Sequence, residues 1–217
     1  MNDTDDRLEA DVENVSRIGF IPVLLEAVCK ITGMGFAAVA RVTHGRWMAC
    51  SVRDEIKFGL QPGGELDVET TICHEIRQHG DAVVIDHVSR DLHYSKHHTP
   101  TMYGFESYIS VPIYRQDGSF FGTLCAIDPK AAVLNTPRII EMFRAFAILI
   151  SCCLDAHGKM PADELAGLEA RITDSLHALL AASENAPHSR ESLAEKMEQS
   201  SRSVRELIND FQQMAMA

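Results

Sequence analysis

The stretch YISVPIYRQDGSFFGTLCAID, residues Tyr108–Asp128, reads as two apolar strands on either side of a tight polar turn. Asp117-Gly118 is a strong β-hairpin signal, and it predicts strands over Tyr108–Tyr114 and Phe120–Ile127. Successive side chains of a strand point to opposite faces of the sheet. The stretch therefore predicts a sheet with one plainly apolar face and one face that mixes hydroxyls, a thiol and aromatic rings.

Strict alternation assigns every side chain of this hairpin to a face. The apolar face is assigned Ile109, Val111, Ile113, Phe120, Gly122, Leu124 and Ala126. The mixed face is assigned Tyr108, Ser110, Phe121, Thr123, Cys125 and Ile127. A mixed face inside a domain suits a ligand cavity, because pockets are mostly apolar with a few placed polar groups. An ordinary second core is the alternative interpretation.

The flanking segments predict an α+β domain. Apolar residues recur at helical spacing over Asp6–Ile31, and Pro22 is expected to break this stretch into two helices. A second hairpin is predicted over Phe36–Arg53, and a largely buried helix over Pro137–His157. Tight turns between neighbouring strands imply a mostly antiparallel sheet, and the terminal helices must cover one of its faces.

The middle of the chain is predicted in less regular pieces. Residues 54–67 contain Pro and Gly and read as a loop. Asp67 is expected to cap a helix from about Val68 to His79, and Ala82–Asp86 reads as a short buried strand. The polar stretch of residues 87–105 has no clean period, which predicts a long loop with one short helix. Loops of this length are often functional.

The composition changes after Gly158, which predicts a second segment over residues 158–217 that follows a domain over residues 1–157. Its first helix carries a stripe made of Leu165, Leu168, Ile172, Leu176 and Leu179. Its second helix carries a heptad-like seam made of Leu193, Met197, Val204, Leu207, Phe211 and Met214. The two helices form a predicted helical pair for signalling or dimerisation, packed either within the chain or against a second subunit.

Bulk properties narrow the function classes. The chain has 217 residues and a formal net charge of −11, which disfavours nucleic acid as a partner. No apolar run reaches the ~18 residues of a membrane span, and the acidic start is unlike a secretory signal, so a cytoplasmic location is expected. The six cysteines lack close pairing motifs and are interpreted as free thiols. Histidines cluster between residues 74 and 98 but are interpreted as solvated, so no metal site is predicted.

The motifs YISVPI and GTLCAID, with VVID upstream, resemble the GAF domain family over about residues 18–156. The resemblance implies a six-stranded antiparallel sheet with helices on both faces and a small ligand held under the long loop. Carried onto this chain, it makes a pocket wall of Tyr108, Ser110, Thr123, Cys125 and Ile127, with Cys73, His93 and Tyr103 as lid or side groups. It also implies a homodimer formed through the terminal helices, and it leaves the cofactor and the ligand unknown.

The resemblance implies a non-catalytic sensory module that binds a small ligand and relays it through its terminal helices. Such a module is expected in a two-component protein, such as a sensor histidine kinase, or in a cyclic-dinucleotide signalling protein. Two alternatives stay open. The first is a thiol-based redox sensor or reductase that uses Cys73 and Cys125, and the second is a dimerisation scaffold with a filled, ligandless sheet face.

Overall fold

The computed structural model describes residues 3–157 and 159–184, together with three isolated positions, Arg202, Glu206 and Asn209. The second predicted C-terminal helix and its heptad-like seam, which includes Val204 and Leu207, lie outside the described residues. The predicted dimer contact through that seam therefore stays a prediction.

The chain forms one antiparallel sheet with helices on both faces, which confirms the predicted α+β class. The sheet order is β3-β2-β1-β6-β5-β4, with strands β1 (Phe36–Val42), β2 (Trp47–Asp54), β3 (Glu65–Leu66), β4 (Val83–Ile85), β5 (Ser107–Tyr114) and β6 (Phe120–Asp128). The helices of the described residues are α1 (Asp3–Arg17), α2 (Ile21–Thr32), α3 (Ile72–His79), α4 (His98–Tyr103), α5 (Pro137–Ala156) and α6 (Ala162–Glu184).

Helices α1, α2 and α5 pack on the apolar face of the sheet, and α6 packs against α2. The sequence sets where two of them begin. Pro22 occupies the first turn of α2, where no intrahelical N–H is needed, and Pro137 does the same in α5. The Thr136 side chain accepts a hydrogen bond from the Ile139 N–H, which caps α5. This face is therefore covered and forms the larger of the two cores.

A β-bulge in the hairpin corrects the predicted alternation. Tyr114 pairs with Phe120 but Ile113 pairs with Gly122, so Phe121 is an extra residue in the β5–β6 ladder. The extra residue reverses the faces at the start of β6. Phe121 lies in the helix-side core and Phe120 packs on the mixed face, the opposite of the prediction.

Three predicted elements in the middle of the chain also differ from the structure. Asp67 accepts the Glu69 N–H and caps a 3₁₀ turn over Val68–Thr70, whereas α3 begins later, with its cap at Thr71. Part of the predicted loop pairs with β2 as the two-residue strand β3. Strand β4 is an edge strand in which Ile85 is buried but Val83 and Val84 are only partly buried, and β5 is its one partner among the described strands.

Two arginines connect the sheet to its helices. Arg41 Nε donates to Asp11 at 2.7 Å, and Arg115 Nη2 donates to the same carboxylate at 2.6 Å. Arg115 also lies 3.5 Å from Asp155 of α5. Both guanidinium groups lie over the ring of Phe121, at 5.1 and 5.0 Å from its centroid. The cluster therefore links α1, β1, the β5–β6 hairpin and α5.

The apolar stripe of α6 lies in the same core as the sheet. Leu168, Ile172 and Leu176 are buried, and α6 packs against α2. The Gly19 N–H donates to Glu169 at 3.1 Å across this contact. The predicted boundary between residues 157 and 158 stays a prediction, but α6 packs within its own chain.

Candidate functional site

The mixed face of the sheet has a floor of small side chains. In the sheet, Cys125 pairs with Ser110 on one side and with Ala38 on the other. Thr123 pairs in the same way with Ala40. All five residues are buried, and the alanines leave room above the central strands for larger groups from the cover.

The cover over this floor comes from α3, from α4 and from two loops. Helix α3 contributes Cys73, α4 contributes Tyr103, and the loops contribute Phe58 and Phe105. The ring of Phe58 lies 4.9 Å from that of Phe36 and 6.1 Å from that of Tyr103, measured between centroids. The rings of Phe58 and Tyr103 therefore cover part of the mixed face, and the cover is called the lid below.

A small cavity of about 40 Å³ remains between floor and lid. Its walls are almost wholly apolar and are formed by Phe36, Trp47, Phe58, Leu60, Leu66, Thr71, Ile72, Cys73, Thr99, Tyr103, Phe105, Tyr108, Cys125 and Ile127. This volume holds a water molecule and little more. The expected ligand-sized space is therefore closed in this conformation.

An open cleft of about 580 Å³ lies directly outside the cavity. Cleft and cavity share six lining side chains, which we call the gate: Phe58, Leu60, Leu66, Tyr103, Phe105 and Ile127. Rotation of gate side chains would join the two spaces. The joined volume falls within the ~300–1,000 Å³ of small-molecule pockets.

Three hydrogen bonds hold the lid against α3 and the turn before it. The Tyr103 and Thr70 hydroxyls are 2.5 Å apart, and the Thr99 hydroxyl donates to the Thr70 carbonyl oxygen at 2.7 Å. His97 Nε2 lies 2.7 Å from a carboxylate oxygen of Glu75. The lid is thus fastened by a few local contacts, of the kind that can be exchanged when a lid opens.

Polar groups inside the site converge on the sulfur of Cys73. The Thr123 hydroxyl donates to it at 3.2 Å, and the Tyr108 hydroxyl lies 3.5 Å away. The Cys125 thiol lies on the same side of the sheet and donates to the Ala38 carbonyl oxygen at 3.7 Å. A buried sulfur with several donors around it is an environment that favours the thiolate.

The two thiols titrate in opposite directions. The pKa of Cys73 is lowered, first by the neighbouring Cys125 thiol and then by the hydroxyls of Thr123 and Tyr108, while burial opposes the change. The pKa of Cys125 is raised well above its usual value, first by the neighbouring Cys73 sulfur and then by burial. Burial likewise raises the pKa of Tyr108, which keeps this hydroxyl a donor.

Two buried polar atoms of the site lack a hydrogen-bond partner among the described residues. They are the Ser110 hydroxyl, beside Cys125 in the sheet, and the indole N–H of Trp47, which lines the cavity. The Trp47 N–H contributes to lowering the pKa of Cys73, although its geometry falls short of a hydrogen bond. Burying a polar atom without a hydrogen-bond partner typically costs ~1–3 kcal/mol of folding stability. A partner that reached either atom would remove that cost.

The structure brings seven of the eight predicted site residues to the mixed face. Tyr108, Ser110, Thr123, Cys125 and Ile127 lie on the strands, and Cys73 and Tyr103 lie in the cover. His93 is exposed on the loop, packs against the Tyr94 ring and does not line the cavity. Its predicted role stays a prediction.

Sequence reasoning missed the aromatic residues that close the site, most notably Trp47 and Phe58. Trp47 falls in a predicted strand, but its face depends on the pairing of β2 with β1, which shifts register at Val39 and Ala40. Phe58 lies in a stretch whose sequence indicates only a loop. The one available signal was that Trp47 is the single tryptophan of an otherwise aromatic-poor chain.

Thiols outside the site behave differently, which gives a pH prediction for Cys50. Burial raises its pKa from the ordinary 9.0 to about 12, so above pH 9 the unfolded chain releases this proton before the folded chain does. Folding stability must therefore fall as pH rises from 9 towards 12. Between pH 8 and pH 10, the unfolding free energy of Cys50→Ala should fall by about 1 kcal/mol less than that of the wild type, as measured by urea titration. Equal losses would show that Cys50 ionises as readily in the folded protein as in the unfolded chain.

Within the part of the chain that the structure describes, no group of three or more histidine, cysteine or acidic side chains is arranged to hold a metal ion. In the same residues, no helix combines the length and the hydropathy needed to cross a membrane.

The sheet with helices on one face and a lidded chamber on the other defines a small α+β domain with an enclosed site. A model of the GAF domain family matches residues 17–154, so the chain belongs to the GAF domain family. GAF domains are in general sensory, ligand-binding domains. No curated protein sequence matches the chain.

Solved structures with the same fold have diverged far in sequence. The GAF domain of phosphoenolpyruvate-protein phosphotransferase from Acinetobacter is 11% identical over 73% of this chain and 98% of its own, with a TM-score of 0.51. The GAF-B domain of DevS from Mycobacterium smegmatis is 14% identical over 67% of this chain and 96% of its own, with a TM-score of 0.50. Type II free methionine-R-sulfoxide reductase from Thermoplasma acidophilum is 16% identical over 60% of this chain and 86% of its own, with a TM-score of 0.46. At these identities the likenesses to the two GAF domains show the fold alone.

Proposed function

We propose that the chain is a non-catalytic regulatory module that admits a small, largely apolar ligand through the gate. The observation that carries this proposal is the shared wall of six side chains between the closed cavity and the open cleft. The Trp47 N–H, which lines the cavity and has no hydrogen-bond partner in the described part of the chain, supplies a polar contact that would orient such a ligand.

The sheet offers a short path from the site to the helices. Cys125 faces the chamber, while its neighbours Leu124 and Ala126 in β6 lie in the core under the terminal helices. A ligand would shift the helices only if it binds one of their arrangements more tightly than the other. A coupling of ~1–3 kcal/mol is enough for regulation.

The wider setting is proposed from the family alone. We place the module in a two-component or cyclic-dinucleotide signalling protein of the cytoplasm, as a homodimer that associates through its N-terminal and C-terminal helices. The net charge of −11 supports a small molecule rather than a nucleic acid as the partner.

The single tryptophan provides a direct test of ligand entry, because Trp47 lines the cavity. A panel of small metabolites is screened for thermal stabilisation and for a change in tryptophan emission. The proposal expects at least one compound to produce both, since bound ligand stabilises by RT ln(1 + [L]/Kd). A compound that raises Tm without changing the emission would locate the binding elsewhere.

The gate is tested separately with Leu60→Ala. Leu60 belongs to the gate, so its truncation should join cavity and cleft and raise acrylamide quenching of Trp47 about twofold or more. Leu149→Ala is the matched control, because it removes the same atoms from the core on the helix side. Unchanged quenching in Leu60→Ala, together with no hit in the panel, would favour a ligandless scaffold.

A further inference from the structure

We propose that Cys73 and Cys125 form a peroxide-responsive dithiol switch, in which hydrogen peroxide converts the pair to an intramolecular disulfide. This is a site of covalent modification, and it does not depend on the binding of a ligand through the gate. It requires a reactive sulfur, a partner thiol, space for the oxidant and a way to stabilise the group that leaves.

The first two requirements are met by the geometry of the pair. Cys73 and Cys125 line the same small cavity, and the hydroxyl of Thr123, two residues before Cys125 on the same face of β6, lies 3.2 Å from the Cys73 sulfur. The two thiols therefore lie close together across the space between α3 and β6. Thr123 and Tyr108 also direct their hydroxyls at Cys73. Donors around Cys73 favour its thiolate, which is the nucleophilic form of a cysteine.

The cavity meets the third requirement. It borders both sulfurs, and its volume of about 40 Å³ admits a molecule of the size of water or hydrogen peroxide but excludes larger oxidants. The gate side chains line both this cavity and the open cleft. Both thiols are about 4% exposed, so entry of a small oxidant through the gate is the route to them.

The indole N–H of Trp47 meets the fourth requirement. It is buried, lines the cavity and has no hydrogen-bond partner within the described residues. A donor at this place is available to a peroxide oxygen, and it would stabilise the negative charge that develops there as the O–O bond breaks. The proposal thus gives a role to an unsatisfied polar atom in the site.

The chemistry balances in two steps. The Cys73 thiolate attacks one oxygen of hydrogen peroxide, the O–O bond breaks, and the departing hydroxide takes up a proton to leave as water, with a sulfenic acid on Cys73. The Cys125 sulfur then attacks the Cys73 sulfur, and the hydroxyl leaves as water with the Cys125 proton. Two thiols lose two electrons and one peroxide is reduced to two water molecules.

The four remaining cysteines serve as internal controls. Cys29, Cys50, Cys152 and Cys153 are also buried, but burial raises the pKa of each, and none of them lines the cavity. Cys152 and Cys153 are adjacent in sequence, yet they lie on α5 on the other side of the sheet. Selective oxidation therefore distinguishes the proposed switch from general exposure of thiols on unfolding.

The wild-type chain is treated with a small excess of hydrogen peroxide, and cysteine states are mapped by mass spectrometry without reduction. We expect a disulfide between Cys73 and Cys125, reversed by dithiothreitol, while the other four cysteines remain thiols. A peptide map that shows no such disulfide, or oxidation spread evenly over all six cysteines, would overturn the proposal.

Variants separate the two steps. Cys125→Ser should stop the reaction at a sulfenic acid on Cys73, which dimedone traps once the treated protein is unfolded in urea. Cys125→Ala provides a second version if serine impairs folding.

Trp47→Phe keeps an aromatic ring and removes the N–H, and it should slow the peroxide reaction roughly tenfold. Leu60→Ala is the control, because it also trims the cavity wall but keeps the indole N–H, and its peroxide reaction should not slow. A Trp47→Phe protein that reacts as fast as the wild type would reduce Trp47 to a packing residue.

Discussion

Replacing Gly122 by alanine is expected to destabilise the protein by at least about 3 kcal/mol, because β1 and β6 approach each other closely at this position. A Cβ built on Gly122 would lie 1.9 Å from the Ala40 carbonyl oxygen and 3.1 Å from the Arg41 Cα. Both are backbone atoms of β1, so no side chain can rotate away. The substitution must push the two central strands apart.

The Gly122→Ala experiment has a matched control in Gly167. This glycine lies in α6 and is exposed, and a Cβ added to it would meet no described atom within 4 Å. Gly167→Ala should stabilise the helix by roughly 0.5–1 kcal/mol, since alanine has the higher helix propensity. Urea unfolding measures the change in unfolding free energy that each of the two variants causes. A Gly122→Ala protein as stable as the wild type would mean that β1 and β6 are not paired as described.

The fold could be predicted from the sequence because its signals are local. Asp117-Gly118 marks the hairpin, Thr136 and Pro137 mark the start of α5, and period-two alternation marks the two faces. The bulge at Phe121 has no such signal. It arises where Arg41 and Arg115 approach the Phe121 ring from the helix side, and that contact joins residues far apart in sequence.

The candidate site was predictable on its floor but not in its cover. Strand alternation places Tyr108, Ser110 and Cys125 on one face whatever lies above them. The residues that close the chamber, such as Phe58, come from loops whose conformation depends on tertiary contacts. One example is the turn at Asp54, whose carboxylate accepts backbone N–H groups from residues 56, 58 and 59. The volume of the chamber depends on those contacts, so the sequence could not predict that it is closed.

A charged residue in the stripe of α6 is expected to unfold the domain or to lower its stability by at least about 3 kcal/mol. Ile172 is fully buried between α6 and the core, so Ile172→Glu places an unpaired carboxylate where water is excluded. Ala170→Glu, on the exposed side of the same helix, should change stability by no more than about 0.5 kcal/mol. Urea titration followed by circular dichroism compares the two.

A domain boundary between residues 157 and 158, as the sequence predicts, implies the opposite result for Ile172→Glu. If the segment after residue 157 is an independent signalling unit, Ile172→Glu should leave the unfolding transition of the sheet domain unchanged. The burial of Leu168, Ile172 and Leu176 in the sheet core argues instead that α6 is part of that cooperative unit. If the domain relays a signal from the sheet, α6 and its contact with α2 offer a path for it, because α6 shares one apolar core with the sheet.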